Sequence, residues 1–474
     1  MGYSRRVSRT SANETLSILD DGGPSPSPGA PYLFLALSAH GPRTKTLRIA
    51  LDRVDEVHVG RGPEIGWDVT REAGLRRVTV RCPDPWQSSS HAVISRGSRG
   101  FSVRDAGSKN GTLLDGARVA SADLADGALI ELGRTFFLYR ASAPAALEGV
   151  PTPVCGGAES VSGPVPLDLP TLSPSFAARL SDLSRIAKTY VPVVLEGETG
   201  TGKEVTARAL HKASQRTGDL VALNCGALPP NLLEAELFGV KKGAFSGATE
   251  DRPGLVRAAS GGTLLLDEIG ELPPAAQTAL LRVLQEREVV PVGGTRPISV
   301  DVRFLAATHR PLDRMVESGS FRRDLWMRLA GFRLRLPPLR ERTEDLGLLT
   351  GTLLGALEPT TPKLPALSPR VARLLFRYAW PGNIRQLERA LTTAVALAGG
   401  EAISVEHLPE DMRAPAPEAS TVRDEDDAKN RAELISHLRA HQGNVSAVAR
   451  AMGKARMQIQ RWIKRYGLTP EDYR

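Results

Sequence analysis

The stretch from Val191 to Gly270 constrains this chain more than any other. It opens with a short apolar strand, VPVVLE, passes directly into GETGTGKE (Gly197 to Glu204), and continues as a helix through Val205, Ala209 and Leu210. That is a phosphate cradle. Gly197, Gly200 and Gly202, with Glu198, Thr199 and Thr201 between them, let the backbone bend so that consecutive N–H groups face inward. The helix adds the positive end of its dipole, and Lys203 adds a mobile cation. The short pattern ends in Ser or Thr, whereas this chain has Glu204, so the usual hydroxyl ligand of Mg²⁺ is missing. A second stretch compensates. TLLLDE, from Thr263, reads as a strand buried on both faces that delivers Asp267 and Glu268 at its C-terminal end, where ligands of open α/β sheets bind. An acid pair there can hold Mg²⁺ and polarise a water. The bland alternative is a glycine-rich turn followed by an unrelated acidic turn, and finding both elements at this separation argues against it.

At 474 residues the chain is too long for one core, and ~100–200 residues per domain suggests about three. A net charge of +8 favours a polyanionic partner. Cys82, Cys155 and Cys225 are isolated, which suggests neither a disulfide framework nor a zinc site and fits a reducing, cytoplasmic setting. No apolar run approaches the ~18 residues of a membrane span, the N-terminus lacks the apolar core of a signal peptide, and Arg6 stands where a myristoylation signal wants Ser or Thr.

Residues 1–30 are rich in Ser, Arg, Gly and Pro and read as a disordered tail. Over residues 31–140, short apolar or alternating runs (YLFLAL, TLRIAL, RVTVR, HAVISR, FSVRD, TFFLYR) are separated by turn residues, which indicates an all-β sandwich. Residues 141–171 read as a linker. An α/β unit is expected over 172–345 and a helical stretch over 346–410. A polar linker over 411–428 precedes a last segment, 429–474, of three short helices.

In the sandwich, Gly60-Arg61, Ser88 to His91 and DAGSKNGT (Asp105 to Thr112) resemble a forkhead-associated (FHA) domain, a phosphothreonine-reading fold. The resemblance implies that Arg61 and Ser88 contact phosphate, Asn110 binds peptide backbone and His91 braces the loop. A guanidinium and a hydroxyl can jointly satisfy phosphate oxygens. Ser89 stands where the family places Arg, which implies weak phosphate binding or a purely structural interface.

GETGTGKE and GGTLLLDEIG, together with ELFGVKKGAFSGA, FRRDLWMRL, LPPLRER and WPGNIRQL, resemble the AAA+ module of bacterial enhancer-binding proteins, the activators of sigma-54 RNA polymerase. By that resemblance Lys203 holds the phosphates, Asp267 organises Mg²⁺ through water and Glu268 orients the attacking water. Asn224 would restrain Glu268, or would only cap a strand end. Arg322 and Arg328 match fingers supplied in trans within a hexameric ring, and Arg385 matches the lid residue that senses nucleotide. Thr308 matches a γ-phosphate sensor, although His309 follows it where Asn is usual. The loop Gly243, Ala244, Phe245, Ser246, Gly247, Ala248 corresponds to the one that engages sigma-54, with Phe245 at its tip.

In the last segment Leu434, Leu438, Val445, Val448, Met452, Ile459 and Ile463 have helical spacing and would form a small core. Arg456, Gln458, Arg461, Lys464 and Arg465 lie on or near the last helix, and the segment resembles a Fis-type helix-turn-helix. A solvated basic helix is its bland counterpart. The combined reading is a multidomain chain: an FHA-like sandwich, an AAA+ core with a lid, and an all-α helix-turn-helix. It implies an ATP-hydrolysing activator of sigma-54 RNA polymerase holoenzyme that uses ATP and Mg²⁺, binds enhancer DNA, and answers a phosphothreonine protein or a serine/threonine kinase. Two rivals stay open: an AAA+ remodeller of another class, and a catalytically silent DNA-binding adaptor that reads phosphothreonine.

Overall fold

The computed structural model describes residues 29–42, 45–72, 74–143, 152–154, 166–244, 248–357, 365–413, 434–442, 444–452 and 459. The N-terminal part is built from Ala30–Ser38 (β1), Thr46–Ala50 (β2), Glu56–Arg61 (β3), Gly66–Glu72 (β4), Leu75–Cys82 (β5) and Ala92–Gly97 (β6). It continues with Gly100–Asp105 (β7), Thr112–Leu114 (β8), Ala117–Val119 (β9), Ser121–Asp123 (β10), Leu129–Leu132 (β11), Thr135–Ala143 (β12) and Thr152–Val154 (β13). These strands make two facing sheets, ordered β13-β2-β1-β12-β11-β8-β9 and β10-β7-β6-β3-β5-β4. β3 and β5 run parallel, their Gly66–Cys82 neighbourhood closed by the antiparallel β4–β5 hairpin. Strand alternation sends Leu33, Leu35, Ile49, Val57, Val80, Ile94, Phe137 and Tyr139 into the core between the sheets. The stretch 141–171, expected to be plain linker, contributes β13, which pairs with β2 and covers backbone groups that would otherwise form an open edge.

The central part is a parallel sheet ordered β15-β18-β21-β14-β22. Its strands are Val193–Glu196 (β14), Leu220–Asn224 (β15), Thr263–Asp267 (β18), Arg303–Thr308 (β21) and Phe332–Arg335 (β22). Two short ladders flank it, Gly239–Val240 (β16) with Arg252–Pro253 (β17) and Glu288–Val289 (β19) with Ile298–Ser299 (β20). Helices Pro174–Arg185 (α1), Lys203–Ser214 (α2), Pro230–Phe238 (α3), Leu255–Ala258 (α4), Pro274–Glu286 (α5), Leu312–Glu317 (α6) and Arg323–Leu329 (α7) complete it. Separate apolar clusters cover the two faces: Val194, Leu264, Leu266 and Phe304 point into one, Val193, Leu195, Leu265 and Leu305 into the other. Burial on both sides explains the unbroken apolar runs of these strands.

Three helices follow, Leu346–Ala356 (α8), Pro369–Arg377 (α9) and Asn383–Ala398 (α10). α8, LGLLTGTLLGA, is apolar nearly all round because it packs between α10 and β1 of the sandwich. The sandwich therefore has a third layer. Tyr32, Phe34, Ala36 and Phe136, which alternate with its core residues, are also fully buried, and Phe136 stacks on Phe376 of α9 with centroids 6.1 Å apart.

From Pro409 the chain forms a second compact unit. It contains Glu410–Arg413 (α11), a helix over 434–440 (α12) and Val445–Ala451 (α13). Leu434, Leu438, Val448 and Ile459 are buried together there, with Val445 and Met452 against them. Ile463 and the basic residues Arg456, Arg461, Lys464 and Arg465, with Gln458, lie outside the described residues. Among the described residues no helix is long and apolar enough to cross a membrane.

Candidate active site

The phosphate cradle connects β14 to α2 at the C-terminal edge of the parallel sheet. Gly200 and Gly202 take φ values of 81° and 100°, the left-handed region that glycine enters without strain. At Gly200 a side chain is excluded outright, because a Cβ would lie 2.3 Å from the carbonyl oxygen of Gly382 in the lid. Thr201 Oγ1 donates to Glu198 O at 2.9 Å, closing the loop on itself. Lys203 Nζ lies 2.9 Å from Gly197 O and 3.1 Å from Glu198 O.

β18 brings Asp267 beside this loop, in register with Asn224 of β15. Burial raises the Asp267 carboxyl above its ordinary pKa, against the opposing pull of the Glu268 N–H and of Lys203. Burial likewise lowers Lys203, and the two carboxylates nearby push it back up. Glu268 has a left-handed backbone, φ 54°. Asn224 Oδ1 accepts from Gly226 N at 2.8 Å, a strand-end turn, and a Cβ on Gly226 would meet both Glu268 Oε2 and Asn224 Oδ1. Asn224 is thus both a cap and a neighbour of Glu268. Thr199, Gly200, Gly202, Lys203, Glu204, Asn224, Asp267, Glu268 and Arg385 line one cavity of about 290 Å³.

Lid and cradle are joined by hydrogen bonds. Ile384 N donates to Gly200 O at 2.9 Å. Asn383, fully buried, accepts from Leu339 N at 2.8 Å and donates to Thr199 O at 3.0 Å and to Glu198 Oε2 at 3.1 Å. Arg340 grips Glu198 with two hydrogen bonds of 2.5 and 2.8 Å, which with Asn383 holds that carboxyl down to about 2. Arg342, buried over the Phe176 ring, donates to Thr201 O at 3.0 Å. Sequence reading assigned no role to Asn383, Arg340 or Arg342, although all three sit inside the quoted LPPLRER and WPGNIRQL strings.

Other expected residues lie elsewhere. Thr308 is buried at the end of β21, where its hydroxyl accepts from Arg310 N and its carbonyl from Gly197 N; it supports the cradle and does not line the cavity. His309 is exposed and does not line it either. Arg322 and Arg328 are exposed at the two ends of α7, outside the chain's own cavity, with Arg322 paired to Asp324 at 2.7 Å. The base of the GAFSGA loop is fixed by Gly243 N to Ala248 O, 2.9 Å, and Ala244 N to Lys241 O, 3.1 Å. Phe245, Ser246 and Gly247 lie outside the described residues.

A second constellation sits on the loops of the sandwich. Arg61 is exposed and its N–H donates to Ser88 O, an approach so close that a Cβ on Gly60 would lie 2.0 Å from Ser89 O. Ser88 Oγ accepts from Lys109 N at 3.0 Å. His91 is buried; its Nδ1 accepts from Ser88 N, which leaves Nε2 to donate to Gly111 O. Asn110 Nδ2 donates to Trp86 O at 2.7 Å. Asp105 organises the loop by accepting from Gly107 N, Ser108 N, Ser108 Oγ and Thr112 Oγ1, and although partial burial works against ionisation these bonds bring its carboxyl down to about 2. Asp84, fully buried, accepts from Trp86 N, Arg134 N and Thr135 Oγ1. Asp105 opens the DAGSKNGT motif but was given no role in the sequence, and Asp84 was not singled out there.

Comparison with known proteins agrees with this architecture. Residues 170–335 match the sigma-54 interaction domain, residues 340–425 an AAA+ ATPase lid domain, and residues 57–133 the FHA domain. The chain is 40% identical over 314 residues to the regulatory protein AtoC of Escherichia coli strain K12, covering 64% of this chain and 68% of that protein. It is 41% identical over 309 residues to the transcriptional regulatory protein GlrR of the same strain, covering 64% and 69%. Among solved structures, NtrX from Brucella abortus in complex with ATP matches with 30% identity and a TM-score of 0.47 over 63% of this chain and 69% of that one. The chain belongs to the sigma-54-dependent transcriptional regulators, with an AAA+ ATPase at its centre and an FHA domain before it.

Proposed function

We propose that this protein is an activator that binds enhancer DNA, assembles into a hexameric ring and uses ATP hydrolysis to remodel the closed complex of sigma-54 RNA polymerase. The observation that carries the reading is the convergence of Lys203, Asp267, Glu268, Asn224 and Arg385 on one cavity between the parallel sheet and the lid. Lys203 and the cradle N–H groups neutralise and hold the phosphates, Glu268 orients the attacking water, and Arg385 ties the nucleotide to the lid. The donor set fits Mg²⁺. One half-buried carboxylate, Asp267, beside a phosphate cradle is the sparse protein ligation that Mg²⁺ accepts together with phosphate oxygens and waters. When bound it neutralises charge developing between the β and γ phosphates. Arg322 and Arg328, exposed on α7, suit fingers that act on a neighbour's nucleotide.

The remaining parts complete the proposal. Residues 31–140 read phosphothreonine through Arg61, Ser88, His91 and Asn110; 172–345 and 346–410 are the motor and its lid; 429–474 bind DNA. The loop Gly243 to Ala248 engages sigma-54 through Phe245. Its glycines and lysines offer no catalytic chemistry, so coupling should be separable from hydrolysis. Phe245→Ala is expected to hydrolyse ATP at the parent rate while failing to open a sigma-54 promoter. Normal open-complex formation by Phe245→Ala would remove the loop from this role and favour a remodeller of another class.

A further inference from the structure

An isolated β-sandwich keeps the outer face of each sheet wet, and its strands then alternate apolar and polar residues. The seven-stranded sheet here does not. Tyr32, Phe34, Ala36 and Phe136 on its outer face are completely buried, and their cover is α8 and α9 of the ATPase lid. The approach reaches the backbone: a Cβ on Gly347 of α8 would lie 1.7 Å from Ala36 O. Leu367 N donates to Ala39 O at 2.7 Å. Two ion pairs cross the contact, each with a carboxylate only 6% exposed. Arg373 of α9 binds Glu131 of β11 at 2.7 and 3.3 Å, and Arg140 of β12 binds Glu344 at 3.2 Å and the Thr343 hydroxyl at 3.0 Å.

The same contact reaches the phosphate cradle. Arg48 of β2, itself buried, donates to Leu172 O at 3.2 Å. Leu172 N and the Thr171 hydroxyl are held by Asp345, which pairs with Arg342, and Arg342 donates to Thr201 O in the cradle. Domains joined by small polar contacts swing independently; an apolar, backbone-close contact with buried ion pairs does not.

We infer that the phosphopeptide-type sandwich is a fixed wall of the ATPase, clamped by the outer face of its seven-stranded sheet to the lid of its own chain, and that this clamp sets nucleotide affinity. The sandwich holds α8 and α9, these carry α10, and α10 places Asn383, Ile384 and Arg385 over the cradle. Loosening the clamp frees the lid to leave Gly200 and Thr199, so nucleotide binds less tightly.

A charge-swap cycle on the full chain tests this, with binding of a fluorescent ATP analogue as the readout. Arg373→Glu places a carboxylate against buried Glu131, Glu131→Arg places two guanidiniums together, and the double variant restores one pair with its partners exchanged. Each single change is expected to weaken the analogue about tenfold, within the usual range of coupling between linked sites, and the double variant to recover to within about threefold of the parent. Thermal unfolding of each variant, followed in parallel, separates the two causes: a weakened clamp lowers analogue affinity in variants that are still fully folded at the assay temperature. Should the single reversals fail to fold, Arg140→Ala, which removes the mostly buried partner of Glu344 without adding a like charge, is expected to weaken binding in the same direction. Unchanged affinity in folded variants would show that the sandwich is a passive neighbour and overturn the inference. The inference rests on the nucleotide site proposed above, and the assay distinguishes the two failures: a parent chain that does not bind the analogue overturns the site, whereas a parent that binds it and folded variants that bind it equally well overturn the clamp.

Discussion

Asn383→Ala removes the residue that ties lid to cradle. Its carboxamide makes three hydrogen bonds, but only one partner, Leu339 N, belongs to a fully buried residue. Orphaning a buried N–H costs about 1–3 kcal/mol. Asn383 also holds φ 53°, a left-handed conformation that Asn tolerates and that costs an ordinary residue about 1–2 kcal/mol. The bonds to Thr199 O and to Glu198, which keeps its Arg340 pair, face water and are discounted. The sum is about 2–5 kcal/mol against the closed lid, and at about 1.4 kcal/mol per tenfold a central value near 3 corresponds to about a hundredfold. Isothermal titration with a slowly hydrolysed ATP analogue is expected to show binding weakened by about a hundredfold, within a range of about thirtyfold to a few thousandfold. Asn383→Asp keeps the acceptor for Leu339 N but sets a second carboxylate about 3 Å from ionised Glu198 and an acceptor against Thr199 O, so it should not recover the loss. Affinity within about twofold of the parent for a folded Asn383→Ala would refute the reasoning, because the lid contact would then carry no weight in binding.

The sandwich loop should respond to acid through Asp105. Its folded-state pKa of about 2 lies below the unfolded value of about 3.9, so its stabilisation is fully present above about pH 4 and is lost as pH falls towards 2; Asp105→Asn should flatten the dependence of urea midpoint on pH in that window. For the ring, specific ATPase activity should rise with protein concentration across the assembly range, and Arg322→Ala or Arg328→Ala should abolish turnover while ATP still binds. Rates that do not depend on concentration would argue against fingers supplied in trans.

The cradle and the acid pair were legible in the sequence because their chemistry depends on local spacing: glycines at fixed intervals, then a charged pair closing an apolar strand. The sandwich was legible as strands and turns. Its third layer was signalled too, in the unbroken apolar runs YLFLAL and TFFLYR, since a strand with one wet face would alternate. What those runs could not tell is what covers them, because α8 and α9 lie about two to three hundred residues further on. Asn383, Arg342 and Asp84 escaped for a related reason. Each acts by binding a main-chain group distant in sequence, and a backbone partner leaves no trace in residue type. Thr308, matched to a γ-phosphate sensor, is held at the end of β21 with its carbonyl accepting from Gly197 N, another main-chain contact that residue type does not announce.

Gly347 has a consequence for solubility. With no side chain between α8 and β1, helix and strand meet as two backbones, and the surrounding leucines of α8 have been selected to be dry on both sides. An ATPase prepared without its first 170 residues would turn that surface, with Phe376 beside it, out to water. Such a patch recruits other chains, so self-association of the shortened protein could be mistaken for ring assembly unless the exposed face were first made polar.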